Sequence, residues 1–140
     1  MSDAARDEGG CLCGAVRYSL DRDTVATANH CHCRDCQRST GGGFVTFVAL
    51  PESGFELASG DLGAYTVTGD SGGTVTRSFC RACGSALYSQ VSVMPGFYFV
   101  KAGSLDDASW VKPASSYWVS TAQPWAPAAE GLQGHARNPG

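Results

Sequence analysis

The chain has 140 residues, of which 16% are charged, with a formal net charge of −3 and a sequence pI near 5.5. This acidic balance argues against a nucleic-acid binder, which needs a basic surface, and no stretch approaches the roughly 20 apolar residues of a membrane span. The length predicts one domain, and eighteen glycines with few charged residues predict short strands joined by turns.

The predicted elements are short strands, because β-branched and aromatic residues recur between turn-forming residues. In chain order, strands are predicted at 15–20, 24–28, 44–50, 55–58, 63–68, 74–79, 86–93 and 97–102. A single helical turn is predicted at 37–40, ended by Gly41-Gly-Gly43, and a short helix at 105–110 with Ser104 as its cap. The fold class is therefore all-β, built from small sheets.

Both ends of the chain are predicted to lie outside the fold. Residues 1–8 are polar and predict a flexible tail, and residues 127–140, rich in proline, alanine and glycine, predict a C-terminal tail that is either an ordered edge or frayed. The domain would then span 9–126. The first residues also lack the apolar core of a signal peptide, so a cytoplasmic location with reduced thiols is expected.

Seven cysteines fall into three clusters, Cys11-x-Cys13, Cys31-x-Cys33-x-x-Cys36 and Cys80-x-x-Cys83. In a reducing compartment such clusters are metal ligands more often than disulfides, and an odd count argues against complete pairing. Zinc takes four protein ligands in a closed structural site and three plus an exchangeable position in a reactive one. Seven thiols therefore predict one site of each kind.

The two outer clusters predict the structural site. Cys80 and Cys83 are spaced as in a zinc knuckle, and Gly84 can adopt the positive φ that lets backbone N–H groups face the sulfurs. Cys11 and Cys13 lie on one face of an extended segment, so both sulfurs can reach the same ion. An ion held by these four thiols would join the first strand to a hairpin far along the chain.

The middle cluster, Cys31, Cys33 and Cys36, predicts an open site, because three thiols can surround one ion and no fourth cysteine remains. Candidates for the fourth position are His30, His32, Asp35, His135, an exchangeable water or an exchangeable thiol. The two histidines beside Cys31 are expected to point elsewhere. A thiol bound there would lose its proton and become a nucleophile. The alternative is an incomplete or regulatory site that is often free of metal.

Residues around the middle cluster could serve a substrate. Arg34 and Arg38 are four residues apart and could share one face of a helical turn, where they would bind a carboxylate. The alternative is two solvated arginines. Gly41-Gly-Gly43 could admit a ligand or act as a connector, and His32 is a candidate general acid or base. The aromatic residues Tyr117, Trp118 and Trp125 fit the core or its rim better than a substrate site.

Three segments contain these cysteines in a fixed order: Gly10-Cys-Leu-Cys-Gly-Ala-Val-Arg-Tyr18, Cys31-His-Cys-Arg-Asp-Cys-Gln-Arg38 and Phe79-Cys-Arg-Ala-Cys-Gly84. Together they resemble the glutathione-dependent formaldehyde-activating enzyme family, which includes centromere protein V. Gly103-Ser-Leu-Asp106 and Pro124-Trp125 also look like family features. The resemblance covers residues 9–126.

The resemblance implies a β-tent fold related to small zinc-binding guanine-exchange-like chaperones. It implies a structural zinc on Cys11, Cys13, Cys80 and Cys83, and a second, looser zinc on Cys31, Cys33 and Cys36. The family's named activity is the condensation of formaldehyde with glutathione, classed with carbon–sulfur lyases, which makes glutathione a candidate co-substrate. Many relatives carry a histidine just before an Ile/Val-Trp pair in a late strand, where this chain has Ser116-Tyr117-Trp118, so the resemblance leaves the substrate open.

Two functions are consistent with these features. The first is a zinc-dependent enzyme acting on the adduct of a thiol and a small aldehyde. Cys31, Cys33 and Cys36 would form its catalytic centre, and Arg34 or Arg38 would bind a substrate carboxylate. The second is a non-catalytic zinc module that binds a protein partner, since fold does not determine function. Neither requires nucleic acid or a membrane, and both leave room for a homodimer.

Overall fold

The computed structural model describes residues 6–69 and 72–138, and these contain eleven strands and one α-helix. The strands are β1 Arg6–Gly10, β2 Arg17–Asp21, β3 Thr27–Cys31, β4 Val45–Pro51, β5 Phe55–Ser59, β6 Leu62–Thr68, β7 Thr74–Cys80, β8 Ala86–Val91, β9 Phe97–Lys101, β10 Ser115–Tyr117 and β11 Gln133–Gly134. The helix, α1, spans Arg34–Thr40. The prediction of an all-β fold is confirmed. None of the helical segments described is long and apolar enough to cross a membrane.

The larger of two sheets has eight strands in the order β11-β10-β3-β4-β9-β8-β7-β6. β4 lies inside this sheet, and its nearly continuous apolar sequence is buried on both faces. β10 pairs in parallel with both β3 and β11, while the other pairs are antiparallel. This sheet is therefore mixed, with two parallel pairs among mainly antiparallel ones. β3 and β10 are far apart in the chain, and residues 118–132 separate β10 from β11, so neither parallel pair has to be joined by a tight turn.

The smaller sheet, in the order β1-β2-β5, shares a core with the larger one. Side chains from both sheets form this core, among them Tyr18, Leu20, Leu50, Leu87 and Val100. The Tyr18 hydroxyl is 2.6 Å from the Ser104 hydroxyl, which links β2 to the turn that follows β9. Gly9 lies against both residues so closely that a Cβ would collide with them. Glycine is required there for the two sheets to approach.

The predicted helix at 105–110 is wrong. The chain instead forms a short 3-10 turn at Ala102–Ser104, after which Leu105 bridges to Gly9. The Ser104 hydroxyl donates to the Lys101 carbonyl and so does not cap a helix. Asp107 accepts from the backbone N–H of Ser109, a local bond that competes with helical hydrogen bonding.

Two N-terminal predictions also need correction. The flexible tail assigned to residues 1–8 is wrong for residues 6–8, which belong to β1 and pair with β2, while residues 1–5 lie outside the described residues. The strand predicted at 24–28 begins three residues later, at Thr27. Asp21 accepts from the Asp23 backbone N–H and starts a 3-10 turn that holds Thr24 out of the strand. β3 consequently extends to Cys31.

Of the two alternatives left open for the C-terminal tail at 127–140, the described residues show the ordered edge, since Gln133–Gly134 form the edge strand β11. The backbone N–H of His135 donates to the Ser116 carbonyl, and the N–H groups of Trp118 and Val119 donate to Arg137 and His135. The Trp118 indole also donates to the Asn138 side chain at 2.8 Å. Backbone pairing needs no apolar pattern, so the composition of this segment did not reveal it. Residues 139 and 140 lie outside the described residues.

Deleting residues 127–140 is expected to lower the free energy of unfolding by about 2–4 kcal/mol, because several backbone hydrogen bonds are lost and each contributes about 1 kcal/mol. Urea unfolding of the metal-loaded protein measures this change. A matched deletion of residues 139–140 alone should leave the unfolding midpoint unchanged. Equal stability of the long deletion and the full chain would contradict the docking of this segment.

Candidate metal centres

The first candidate centre is the four-cysteine cluster, formed by Cys11, Cys13, Cys80 and Cys83. Cys11 and Cys13 lie in the loop between β1 and β2, Cys80 is the last residue of β7, and Cys83 lies in the turn from β7 to β8. Their four Sγ atoms lie within 4.8 Å of one another. The Sγ atom of Cys13 is 3.5 Å from that of Cys11 and 3.8 Å from that of Cys80. Gly14 and Gly84 each follow a cysteine with φ near +80°, at +81° and +79°, which lets both loops turn tightly.

Hydrogen-bond donors surround the sulfurs of this cluster. The backbone N–H of Val16 lies 3.2 Å from the Sγ atom of Cys11 and lowers the pKa of that thiol. The Ser85 hydroxyl lies 3.2 Å from the Sγ atom of Cys83 and lowers its pKa to about 5. Donors of this kind stabilise thiolates, which are the form that binds a metal. The donor set therefore fits a soft divalent ion such as zinc.

The second candidate centre is the cysteine triple, formed by Cys31, Cys33 and Cys36. Cys31 is the last residue of β3, Cys33 caps the N-terminus of α1, and Cys36 lies in the first turn of that helix. Their Sγ atoms also lie within 4.8 Å of one another. The Cys33 sulfur accepts a hydrogen bond from the Cys36 backbone N–H at 3.3 Å. The strand end and the helix start thus bring three sulfurs to one point.

The three thiols share their protons unequally. Hydrogen bonds from Cys31 and Cys33, helped by the positive charges of Lys101 and Arg77, hold the pKa of Cys36 well below its ordinary value. Hydrogen bonds to Cys33 and Cys36, together with burial, raise the pKa of Cys31. The thiol whose pKa falls, that of Cys36, is thus the one that the Arg77 guanidinium contacts.

The candidates for a fourth ligand lie away from the triple. His30 bonds through Nδ1 to the Thr46 hydroxyl at 2.7 Å, and His32 is buried with its ring 5.0 Å from that of Phe44. Asp35 is exposed. His135 packs its ring 5.4 Å from that of Tyr117. Among the described residues, no histidine or carboxylate joins the three sulfurs in a group that could hold one ion.

The two predicted substrate arginines lie on α1 and are exposed. Arg34 donates through Nη1 to the side chain of Gln37, whose amide in turn holds the His32 carbonyl at 2.7 Å. The predicted helical turn is thus longer than expected and begins at Arg34. At Gly43 a Cβ would collide with Ala126 and lie 3.1 Å from the Trp125 ring, so the close approach there is to the protein itself.

Two basic residues near the triple were missed by the sequence reasoning. Arg77 of β7 donates through Nη2 to the Cys36 sulfur at 3.8 Å, and Lys101 of β9 donates to the Ser89 hydroxyl at 2.8 Å. Burial lowers the pKa of Lys101, and the charge of Cys36 acts against this shift. Each is the single basic residue of its strand, which is a signal, but only the order of strands in the sheet brings them together.

An apolar wall borders the triple, and an open cleft lies nearby, although none of the three cysteines lines it. Val45, Phe47 and Ala49 of β4 pack with the cysteines, and Phe99 and Tyr117 lie beside them. The cleft has a volume of about 710 Å³. Its lining includes Cys11 of the four-cysteine cluster and also Val45 and Lys101, which are neighbours of the triple. The volume falls within the usual range of small-molecule sites.

Comparisons with known proteins agree with this architecture. The model of the family described as "Glutathione-dependent formaldehyde-activating enzyme" matches residues 6–121. A Halomonas elongata protein, provisionally named as such an enzyme, is 30% identical over 90 residues, which are 58% of this chain and 54% of that protein. The chain thus spans about half the length of that relative. A crystal structure of a Rhodobacter sphaeroides protein is similar with a TM-score of 0.57 at 25% identity, covering 76% of this chain and 91% of that one.

Proposed function

The chain belongs to the glutathione-dependent formaldehyde-activating enzyme family, and from that premise we propose that it makes or breaks a carbon–sulfur bond between a thiol and a small aldehyde. The thiol would be glutathione or a similar molecule, and the reaction would be of the carbon–sulfur lyase class. The observation that supports this proposal is the cysteine triple, which offers three sulfurs and leaves one position of a tetrahedral ion for a ligand from outside.

Both cysteine groups fit zinc, and we assign them different roles. The four-cysteine cluster would enclose a structural ion, and the triple would hold an exchangeable one through Cys31, Cys33 and Cys36. When bound at the triple, zinc supplies the positive charge that keeps an added thiol deprotonated near neutral pH. The cytoplasm suits this role, since its thiols are kept reduced.

The addition needs no oxidant or reductant. The thiol loses its proton, a sulfur lone pair forms the new bond to the carbonyl carbon, and the carbon–oxygen π pair moves to oxygen, which takes up a proton. The product is a hemithioacetal, and the lyase direction reverses each step. The protein would bind and orient the reactants, which can supply a large part of a rate enhancement.

Residues around the triple can provide this binding. The apolar wall of Phe47, Phe99 and Tyr117 would exclude water from the aldehyde carbon. Arg34 and Arg38, exposed on α1, are our candidates for binding a substrate carboxylate. The cleft of about 710 Å³, whose lining shares Val45 and Lys101 with the surroundings of the triple, has room for the remainder of a thiol of tripeptide size.

The proposal predicts that the zinc-loaded, full-length protein accelerates hemithioacetal formation. Glutathione and formaldehyde are the first pair to test, followed by other small thiols and aldehydes, with exchange between free and adduct forms measured by nuclear magnetic resonance. We expect at least about a hundredfold acceleration at saturating substrate for one pair, a modest value for an enzyme. Rates equal to the uncatalysed reaction for every pair would instead support a non-catalytic zinc module.

A further inference from the structure

Arg77 makes an unusual contact for a residue inside a strand. Its Nη2 donates to the Cys36 sulfur at 3.8 Å, and its Nε is buried without a hydrogen-bond partner among the described residues. A buried donor without a partner is costly, and such groups often mark a site whose ligand is missing. The guanidinium therefore presents an unused donor next to the cysteine triple.

Lys101 adds a second cation on the same face of the large sheet. Arg77 lies opposite Ser89 in the pairing of β7 with β8, and the Lys101 ammonium donates to the hydroxyl of that same Ser89. The charges of both residues act on the Cys36 sulfur. No Asp or Glu of the described residues forms a salt bridge with either cation. The Arg77 guanidinium therefore contacts the triple through Cys36, and Lys101 is held beside it by Ser89.

Charge balance indicates which ligand this arrangement favours. Zinc on three thiolates carries a net charge of about −1, and a thiolate in the fourth position brings it to about −2. Such a charge is unfavourable in a half-buried site unless opposite charges lie close by. The Arg77 guanidinium supplies a fixed positive charge at this point, and the Lys101 side chain lies on the same face, bonded to Ser89. A second negative group on the incoming molecule would find the free Nε donor of Arg77 nearby.

We propose that Arg77, assisted by Lys101, is a specificity-determining residue that makes the cysteine triple selective for thiols carrying an additional negative charge. This inference rests on the proposed role of the triple as an open thiol-binding site. It assigns anion recognition to strands β7 and β9, in addition to the exposed arginines of α1. Glutathione, with its carboxylates, belongs to the favoured class, and cationic thiols do not.

Three thiols with the same two-carbon chain test this selectivity: 2-mercaptoethanesulfonate, 2-mercaptoethanol and thiocholine, which are anionic, neutral and cationic. Their dissociation constants are measured by calorimetry on the zinc-loaded, full-length protein and on Arg77→Gln. Comparing the same thiol between two proteins cancels its intrinsic acidity. We expect Arg77→Gln to weaken the anionic thiol by about tenfold or more, the neutral thiol less, and the cationic thiol least, as Coulomb interactions predict.

Two further variants complete the test. Arg77→Lys keeps the charge and should retain the order of the three thiols, even if Arg77→Gln folds poorly. Arg6→Gln removes the same charge from the edge of the small sheet, where Arg6 pairs with Glu56, and should behave as wild type. Equal weakening of all three thiols by Arg77→Gln, or the same pattern in Arg6→Gln, would overturn the inference.

The outcomes also separate this inference from the proposed function. Charge-selective thiol binding without any acceleration of adduct formation would support the role of Arg77 and contradict the proposed enzymatic function. Acceleration by a protein that binds the three thiols without regard to charge would support the enzyme and overturn the role of Arg77.

Discussion

Replacing Cys13 by serine is expected to lower the free energy of unfolding by about 5 kcal/mol or more, enough to unfold much of the protein. Cys13 is exposed, so its side chain contributes little packing, and an ordinary exposed substitution changes stability by about 0.5 kcal/mol or less. Only a role as a metal ligand would make this position matter. Urea unfolding of the zinc-loaded protein, with the number of bound ions per chain, measures the effect.

The neighbouring residue provides a matched control. Leu12 is 90% exposed, and Leu12→Ser should leave both stability and metal content unchanged. Excess chelator should bring wild type and Cys13→Ser to the same stability, because neither protein then holds an ion. If Cys13→Ser is as stable as wild type and binds as much zinc, the four-cysteine cluster does not hold a structural ion.

The local features of the chain were the ones that sequence could predict. Cys31, Cys33 and Cys36 are so close in sequence that almost any turn brings their sulfurs together, and the structure does so with a strand end and a helix start. That Cys11 and Cys80 lie in the same cluster was predicted from the number of thiols that a structural zinc ion requires. In both cases the chemistry of the ion, with its demand for several thiols, supplied the long-range information.

The features that depend on strand order could not be predicted in the same way. Arg77 and Lys101 are far apart in sequence, and they reach the triple because β7, β8 and β9 are neighbours in the large sheet. β11 was missed because it pairs through its backbone, which carries no side-chain pattern. The family resemblance, confirmed by the match over residues 6–121, did not extend to this segment.

Replacing Cys36 by serine is expected to abolish the acceleration of adduct formation, with a loss of about a thousandfold or to the uncatalysed rate. Cys36 carries the thiol whose pKa is lowered by its neighbours, and it lies closest to Arg77. A serine hydroxyl is a poor zinc ligand, so two thiols would remain to hold the second ion. The substitution changes one atom within α1, and we expect the free energy of unfolding to fall by no more than about 1.5 kcal/mol.

The controls separate loss of the ion from loss of the fold. Asp35→Asn alters the exposed residue next to Cys36 and should keep both the activity and two bound ions, whereas Cys36→Ser should keep one. Loss of an ion in Asp35→Asn would make this carboxylate the fourth ligand and close the position we assign to a thiol.

Because Cys13→Ser should remove the fold and Cys36→Ser only the reaction, the pair tests whether the two cysteine groups have separate tasks. Equal destabilisation by both would mean that the triple is a structural site, and the enzyme proposal would lose its main support.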